Sequence, residues 1–200
     1  MTYDQLRTAI AGYFGNTDSI DPNFEVQIPT LIEMAESRIY EDIRHPTMIL
    51  RPYVRELNPL LAPPYTWPDD CLEIHSIADK DTIRWEFVQP DLILVEEAQR
   101  PEYCWTVYGN EILFRPDPFS STVLTYYARP ESVTTDESTP LFKLFPRLFL
   151  QGGLAEAALY LREPDNSIVL HEQKFEQEKE RVRKVAWSAR VPAAMPLKLR

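Results

Sequence analysis

Ile28-Pro29-Thr30-Leu31-Ile32-Glu33-Met34-Ala35-Glu36-Ser37-Arg38-Ile39-Tyr40-Glu41-Asp42-Ile43-Arg44 is the stretch on which the fold turns. Its apolar residues Ile28, Leu31, Ile32, Ala35, Ile39 and Ile43 recur at three- and four-residue steps, the spacing of one stripe along a helix. Pro29 fits a first turn, where its missing N–H would have had no partner. Glu33, Glu36, Arg38, Glu41, Asp42 and Arg44 are expected to point away from the stripe. Arg38 and Asp42 stand one turn apart with opposite charge and make an i,i+4 pair. The stretch predicts a core helix over 28–44 against which the other helices and a small sheet are laid.

Upstream, Thr2-Tyr3-Asp4-Gln5 reads as a capping box. Leu6, Ile10, Tyr13 and Phe14 then give a first helix over 3–14, closed by Gly15-Asn16. Downstream, Pro52, Pro59, Pro63, Pro64 and Pro68 suit an extended path, with Met48–Leu57 as an edge strand, since proline is excluded from a central ladder. Leu72–Ala78 and Thr82–Val88 flank Asp79-Lys80-Asp81 as a hairpin. Pro90 opens a short helix to Glu97, with Leu92, Ile93 and Val95 as its apolar side. Tyr103–Tyr108 and Glu111–Arg115 make a second hairpin turning at Gly109-Asn110. Thr122–Arg129 is apolar on both faces, which predicts a central or doubly covered strand.

Residues 130–143 read as a polar loop. Leu144–Leu161 is a strongly apolar helix packing through Phe145, Leu148, Phe149, Leu154, Ala155, Ala158, Leu159 and Leu161. Gly152-Gly153 within it sacrifice about 1 kcal/mol each relative to alanine. Close approach by another backbone, the 28–44 helix, would compensate. A last helix over 164–189 shows only a sparse stripe, Ile168, Phe175, Val182 and Ala186. The expected class is therefore α+β. A helical bundle of three to four main helices, from 1–46 and 144–189, holds an inserted region, 47–143, with a small antiparallel β-sheet and one short helix. Residues 190–200 form an extended C-terminal arm.

Composition narrows the function classes. The hydrophobic content of 44% can fill a core, and 12% aromatic residues argue against disorder. No run of apolar residues is long enough to span a membrane, and the polar start gives no reason to expect a signal peptide. Cys71 and Cys104 are expected to be reduced, half-buried thiols at strand edges. Eighteen prolines against five glycines make for stiff connections. The formal charge of −10 opposes simple nucleic-acid binding. It is unevenly spread: residues 171–200 hold 8 basic and 4 acidic side chains, leaving 13 and 27 for the rest of the 21 and 31. After Glu180 no acidic residue occurs, a layout that suits an interaction arm. The arm itself carries Val191, Met195, Leu197 and Leu199; it is either a disordered end or a partner-binding segment, and its apolar content favours the second.

Catalytic patterns are scarce. There is no phosphate-cradling glycine loop, no G-x-S-x-G and no H-E-x-x-H. His45, His75 and His171 have no second ligand at metal spacing and are expected at the surface. The acidic pairs Asp69-Asp70, Glu96-Glu97 and Asp136-Glu137 could serve glycoside hydrolysis, but their polar flanks suit solvated turns and helix ends. Trp67, Trp85, Trp105, Tyr103, Tyr108, Tyr126 and Tyr127 could form a sugar platform; more often such residues fill the core of an aromatic-rich sheet. No catalytic residue, cofactor or metal is assigned.

The order of several segments resembles the head-to-tail adaptors of tailed bacteriophages, also called connectors or gatekeepers. The matching pieces are Thr2-Tyr3-Asp4-Gln5-Leu6, Ile28 to Ile39 with Asp42-Ile43-Arg44, and Trp67-Pro68-Asp69-Asp70-Cys71-Leu72-Glu73. Leu124-Thr125-Tyr126-Tyr127-Ala128-Arg129-Pro130 and the run from Phe145 to Ala158 complete the set. The resemblance implies a virion protein without catalysis, made in the host cytoplasm and placed at the head–tail interface. It implies a homo-oligomeric ring, usually of twelve copies, beneath the portal protein. Double-stranded DNA would pass through the lumen without specific binding, tail nozzle or tail fibre proteins would attach below, and no membrane is involved. The basic, apolar C-terminus, with Trp187, Arg190, Val191, Met195, Leu197 and Leu199, is then a candidate portal-binding arm. The competing class is a small carboxylate-based hydrolase or carbohydrate-binding module.

Overall fold

Thr2 closes the box expected of it: Gln5 N–H donates to Thr2 Oγ1 at 3.2 Å, and Thr2 N–H donates to Gln5 Oε1 at 3.0 Å. The computed structural model describes residues 1–15, 23–50, 65–66, 68–79, 84–93, 101–109, 111–116 and 122–190, without the side chains of 50, 65–66, 79 and 188–190. Two compact units emerge, one from Met1–Met48 with Pro130–Arg200 and the other from Ile49–Arg129. The class is α+β.

In the first unit the long helices are α1 (Tyr3–Phe14), α2 (Phe24–Asp42), α5 (Pro146–Tyr160) and α6 (Asp165–Arg190). The stripe on α2 is buried as read, from Ile28 and Ile32 to Ile39 and Ile43. The helix nevertheless begins four residues earlier than Ile28, because Phe24 is itself core, packing edge-on against Phe14 at 5.9 Å and over Tyr160 at 6.2 Å. Pro29 therefore lies inside the helix rather than in its first turn. Two apolar residues assigned inward point out instead: Tyr13 is 54% exposed and Leu159 46%. Both stand near a helix end, and Tyr13 meets His171 of α6 edge-on while the rest of its ring stays open.

The 130–143 stretch is less of a loop than its polarity implied. It contains a short helix, α4 (Pro140–Leu144), whose Leu141 and Phe142 are fully buried, and Val133 is buried too. Its backbone is pinned to α2, Val133 N–H donating to Glu36 Oε1 at 2.8 Å. Glu36 accordingly faces inward, only 3% exposed, against the expectation that it pointed to solvent. A carboxylate that accepts a buried backbone N–H removes an unsatisfied donor, and this reverses the usual preference for exposure.

The two glycines of α5 mark the tightest packing in the unit. A Cβ on Gly152 would stand 3.0 Å from Ala35 Cβ and 3.1 Å from the Phe175 ring; one on Gly153 would meet Ile10 Cδ1 at 2.5 Å. The 28–44 helix is the expected neighbour, but side chains rather than backbone fill the space, and α1 and α6 share it.

The second unit is a sheet of five strands of four residues or more, with two-residue segments at its margins. These are β1 (Ile49–Leu50), β2 (Tyr65–Thr66), β3 (Cys71–Asp79), β4 (Arg84–Phe87), β5 (Cys104–Tyr108), β6 (Glu111–Arg115) and β7 (Thr122–Ala128), in the order β1-β7-β3-β4-β5-β6-β2. Both hairpins are present, β3 with β4 and β5 with β6, the latter turning through Gly109 at a φ of +61°. β7 is central, between β1 and β3. The sheet is mixed, not purely antiparallel: β4 and β5 run parallel, Phe87 beside Trp105. A parallel pair needs a crossover, and the 88–103 connection with its short helix α3 (Pro90–Ile93) supplies one. Of the edge strand read over Met48–Leu57, only Ile49–Leu50 falls among the described residues as strand; 51–57 lie outside them, as do the 94–97 part of the short helix and Asn110.

A leucine at position 152 would have to occupy space already held by Ala35 and Phe175. Gly152→Leu is expected to lower stability by about 2–3 kcal/mol, read as the midpoint of urea unfolding; an unmoved midpoint would mean no neighbour lies there.

Candidate assembly surface

Most groups that the sequence left open for chemistry are engaged in holding structure. Asp70 accepts the Tyr126 hydroxyl at 2.9 Å, and burial, helped by that bond, pushes the phenol up to about 12. Asp136 accepts from the N–H and the hydroxyl of Ser138, and Glu137 accepts Tyr3 N–H at 3.2 Å. Glu96 and Glu97 lie outside the described residues. Trp85 and Trp105 are core, packed with Ile77, Ile112 and Phe114, and they also line, with His75, Arg84, Glu86 and Phe87, a cleft of about 300 Å³; Tyr126 and Tyr127 are buried as well, Tyr108 is exposed, and Trp67 is outside the described residues. Cys104 is fully buried and Cys71 half-buried, and no disulfide joins them. Among the described residues no group of three or more His, Cys, Asp or Glu is placed to hold a metal.

The histidines depart from expectation. His75 is exposed, but His45 and His171 are 5% and 1% exposed. His45 makes a 2.8 Å contact with the Thr47 hydroxyl and accepts Thr47 N–H at 3.2 Å, and its ring meets Phe145 edge-on. An imidazole is apolar on both faces, so without a charge it packs as an aromatic.

A line of charge joins α2, α5 and α6. Arg38, expected to pair with Asp42 on its own helix, instead donates to Glu156 at 2.7 Å and forks onto both oxygens of Glu172 at 3.0 and 2.7 Å. Asp42 is taken by Lys179 at 2.5 Å and Arg183 at 3.3 Å, both on α6. Lys179 is only 3% exposed and also meets Glu176. Arg38 and Lys179 lie over the Phe175 ring, 4.9 and 4.8 Å from its centre. The hydrogen bond from Lys179 is the main cause that holds the Asp42 carboxyl below the usual range, with burial opposing and Arg183 assisting. Position 179 falls on the Phe175–Val182–Ala186 stripe; a charge at an apolar register was the available signal, and it passed unread.

The same corner carries the exposed end of α6. Asp42, Arg44, Arg183, Ala186 and Trp187 enclose a cleft of about 200 Å³. Trp187 is 69% exposed and Val185 41%, beside Arg181, Arg183 and Lys184. Of the candidate arm, Trp187 alone has a described side chain. Arg190 ends the helix, and Val191, Met195, Leu197 and Leu199 lie outside the described residues.

The longest described helix of this α+β chain ends in basic residues beside an exposed tryptophan, an arrangement suited to contact with another macromolecule. The chain matches the family model of the SU10 adaptor protein over residues 1–196, and it belongs to this family of tailed-phage head-to-tail adaptors. Compared with curated proteins, it has no match. Membership makes it a structural adaptor and a component of the virion, and implies association with portal and tail proteins and oligomerisation.

Because the folded-state carboxyl of Asp42 titrates below its unfolded value near 3.9, it contributes stability that is present above about pH 4 and lost as pH falls through the lower folded value. Asp42→Asn should therefore be less stable than the parent at pH 7, and should lose less on going from pH 5 to pH 2.5. Urea unfolding at those pH values measures both; equal acid sensitivity would contradict the pairing.

Proposed function

We propose that copies of this chain close into a ring, twelve in number as is usual for such adaptors, beneath the portal. The ring would prolong the DNA channel and present a platform to tail nozzle or fibre proteins. The observation that carries this reading is the family match over 1–196. The charge distribution is in keeping with it. An acidic body discourages phosphate from adhering to a lumen wall, while the basic end of α6 offers a separate contact of opposite sign.

The residues proposed to hold the portal are Trp187, Arg190, Val191, Met195, Leu197 and Leu199. Trp187 is the anchor of the set. A large, mostly exposed ring beside cations is the kind of side chain that most often dominates an interface. The two hydrophobic steps past the helix, Val191 with Met195 and Leu197 with Leu199, would extend its footprint. The hydrolase or sugar-binding alternative would have to use the cleft of about 300 Å³ lined by His75, Arg84, Trp85, Glu86, Phe87 and Trp105, which holds one carboxylate where glycoside hydrolysis ordinarily uses a pair.

The chain ending at Trp187 should keep the circular dichroism of the full chain yet fail to bind a portal ring, judged by light scattering of mixtures. Trp187→Ala in the full chain should weaken the same binding at least tenfold. Undiminished binding by the shortened chain would refute the arm.

A further inference from the structure

We propose that His171 is an acid-sensitive latch that holds the last turn of α1 against α6. The ring is 1% exposed and wedged among aromatics: Tyr13 meets it edge-on at 5.1 Å and Phe14 lies 6.0 Å away. Phe14 in turn packs on Phe24. Its Nδ1 is buried and, among the described residues, has no hydrogen-bond partner. A neutral imidazole can leave one nitrogen unpaired at modest loss, but a protonated one has two N–H donors and a charge, and no described group accepts from Nδ1. His45, the other buried histidine, differs in having Thr47 as a partner.

Among the described residues, few ionisable groups face His171. Lys174 comes from its own helix, Glu163 from the turn after α5 and the Tyr13 phenol from α1; α2 presents Phe24 to this cluster. Burial, followed by Lys174, depresses the histidine below its ordinary value, and Glu163 opposes them only in part. The cationic ring could gain some attraction from the neighbouring aromatic faces, but the contact with Tyr13 is edge-to-face at 82°. The sign follows from linkage. A base whose folded value lies below its unfolded one stabilises the fold above about pH 6.5 and withdraws that support as pH falls through the folded value.

The element that gives way should be α1. It has 12 residues, and the Thr2–Gln5 box and the Tyr3–Glu137 bond lie at its opposite end. α6 has 26 residues and is anchored further along by Phe175, Lys179, Val182 and Ala186. Swinging out the last turn of α1 would uncover Phe14 and Phe24, 4% and 1% exposed in the closed form. The already exposed Leu159 and Tyr160 end α5 in the same region, where Tyr160 stacks on Phe24. Acid would thus convert a closed helix end into an apolar surface.

The test is hydrogen exchange of the full chain, corrected for intrinsic rates, at pH 7.5 and 5.5, with NMR titration of the histidine ring protons. The wild type should lose at least tenfold protection over residues 8–15 on acidification, His171→Phe should lose less than threefold, and His171 should titrate below 6.5. Equal losses in the two chains, or titration of His171 at 6.5 or above, would overturn the proposal. Should the phenylalanine variant misfold, His171→Gln, which is neutral at both pH values, takes its place, and the wild-type titration decides by itself.

Discussion

The ring of Phe175 is the point on which the helical unit depends. One edge of it rests where Gly152 lacks a side chain, within reach of Ala35, and two cations lie over it from α2 and α6. Any Cβ at 152 would require Ala35 and the Phe175 ring to give way by a few tenths of an ångström. The cations are fixed in turn by Glu156 and Glu172 on one side and by Asp42 and Glu176 on the other. Truncating a buried phenylalanine commonly removes about 3–5 kcal/mol, a large share of a typical folding free energy of about 5–15 kcal/mol. The ion pairs act differently. Their mutual attraction largely offsets desolvation, so their main effect is on register: slide α6 by one turn against α2 and Lys179 is buried without a partner.

This division explains what could be read from the chain beforehand. The four long helices, the capping box, both hairpins and the central strand follow from local pattern, because each is set by neighbours a few residues away; the short helix over 140–144 does not, its stretch reading as a polar loop. The glycine pair announced a close contact for the same reason. Glu36, Arg38 and Lys179 did not announce theirs, since each acquires its partner from more than 90 residues away in sequence, and a charged residue on a helix defaults to solvent unless that partner is known. The parallel β4–β5 pairing is likewise nonlocal, hidden by a crossover that looked like an ordinary connection. His45 and His171 were misplaced through treating histidine as polar, when a neutral ring behaves as a core aromatic.

The candidate site was legible to a smaller degree. No residue pattern named it; what did so was the order of segments resembling an adaptor, joined to the change of charge after Glu180. The structure contributes one side chain to that picture, Trp187, exposed above a small cleft whose walls, Asp42 and Arg183, belong to the same ion-pair line that registers α2 against α6. Core packing and surface presentation thus share residues. Asp70, Asp136, Glu137, Trp85 and Trp105, which kept a catalytic alternative open, take part in hydrogen bonds of the fold and in the sheet core, roles that a sequence cannot separate from catalysis because both use the same side chains.

The central claim is that this chain acts as shaped material at the junction of head and tail. Low-resolution electron microscopy of assembled particles carrying a tagged copy of the chain tests it most directly. The account requires tag density in a ring between the portal and the tail. Density confined to the capsid surface or the distal tail, or particles complete without the chain, would contradict it.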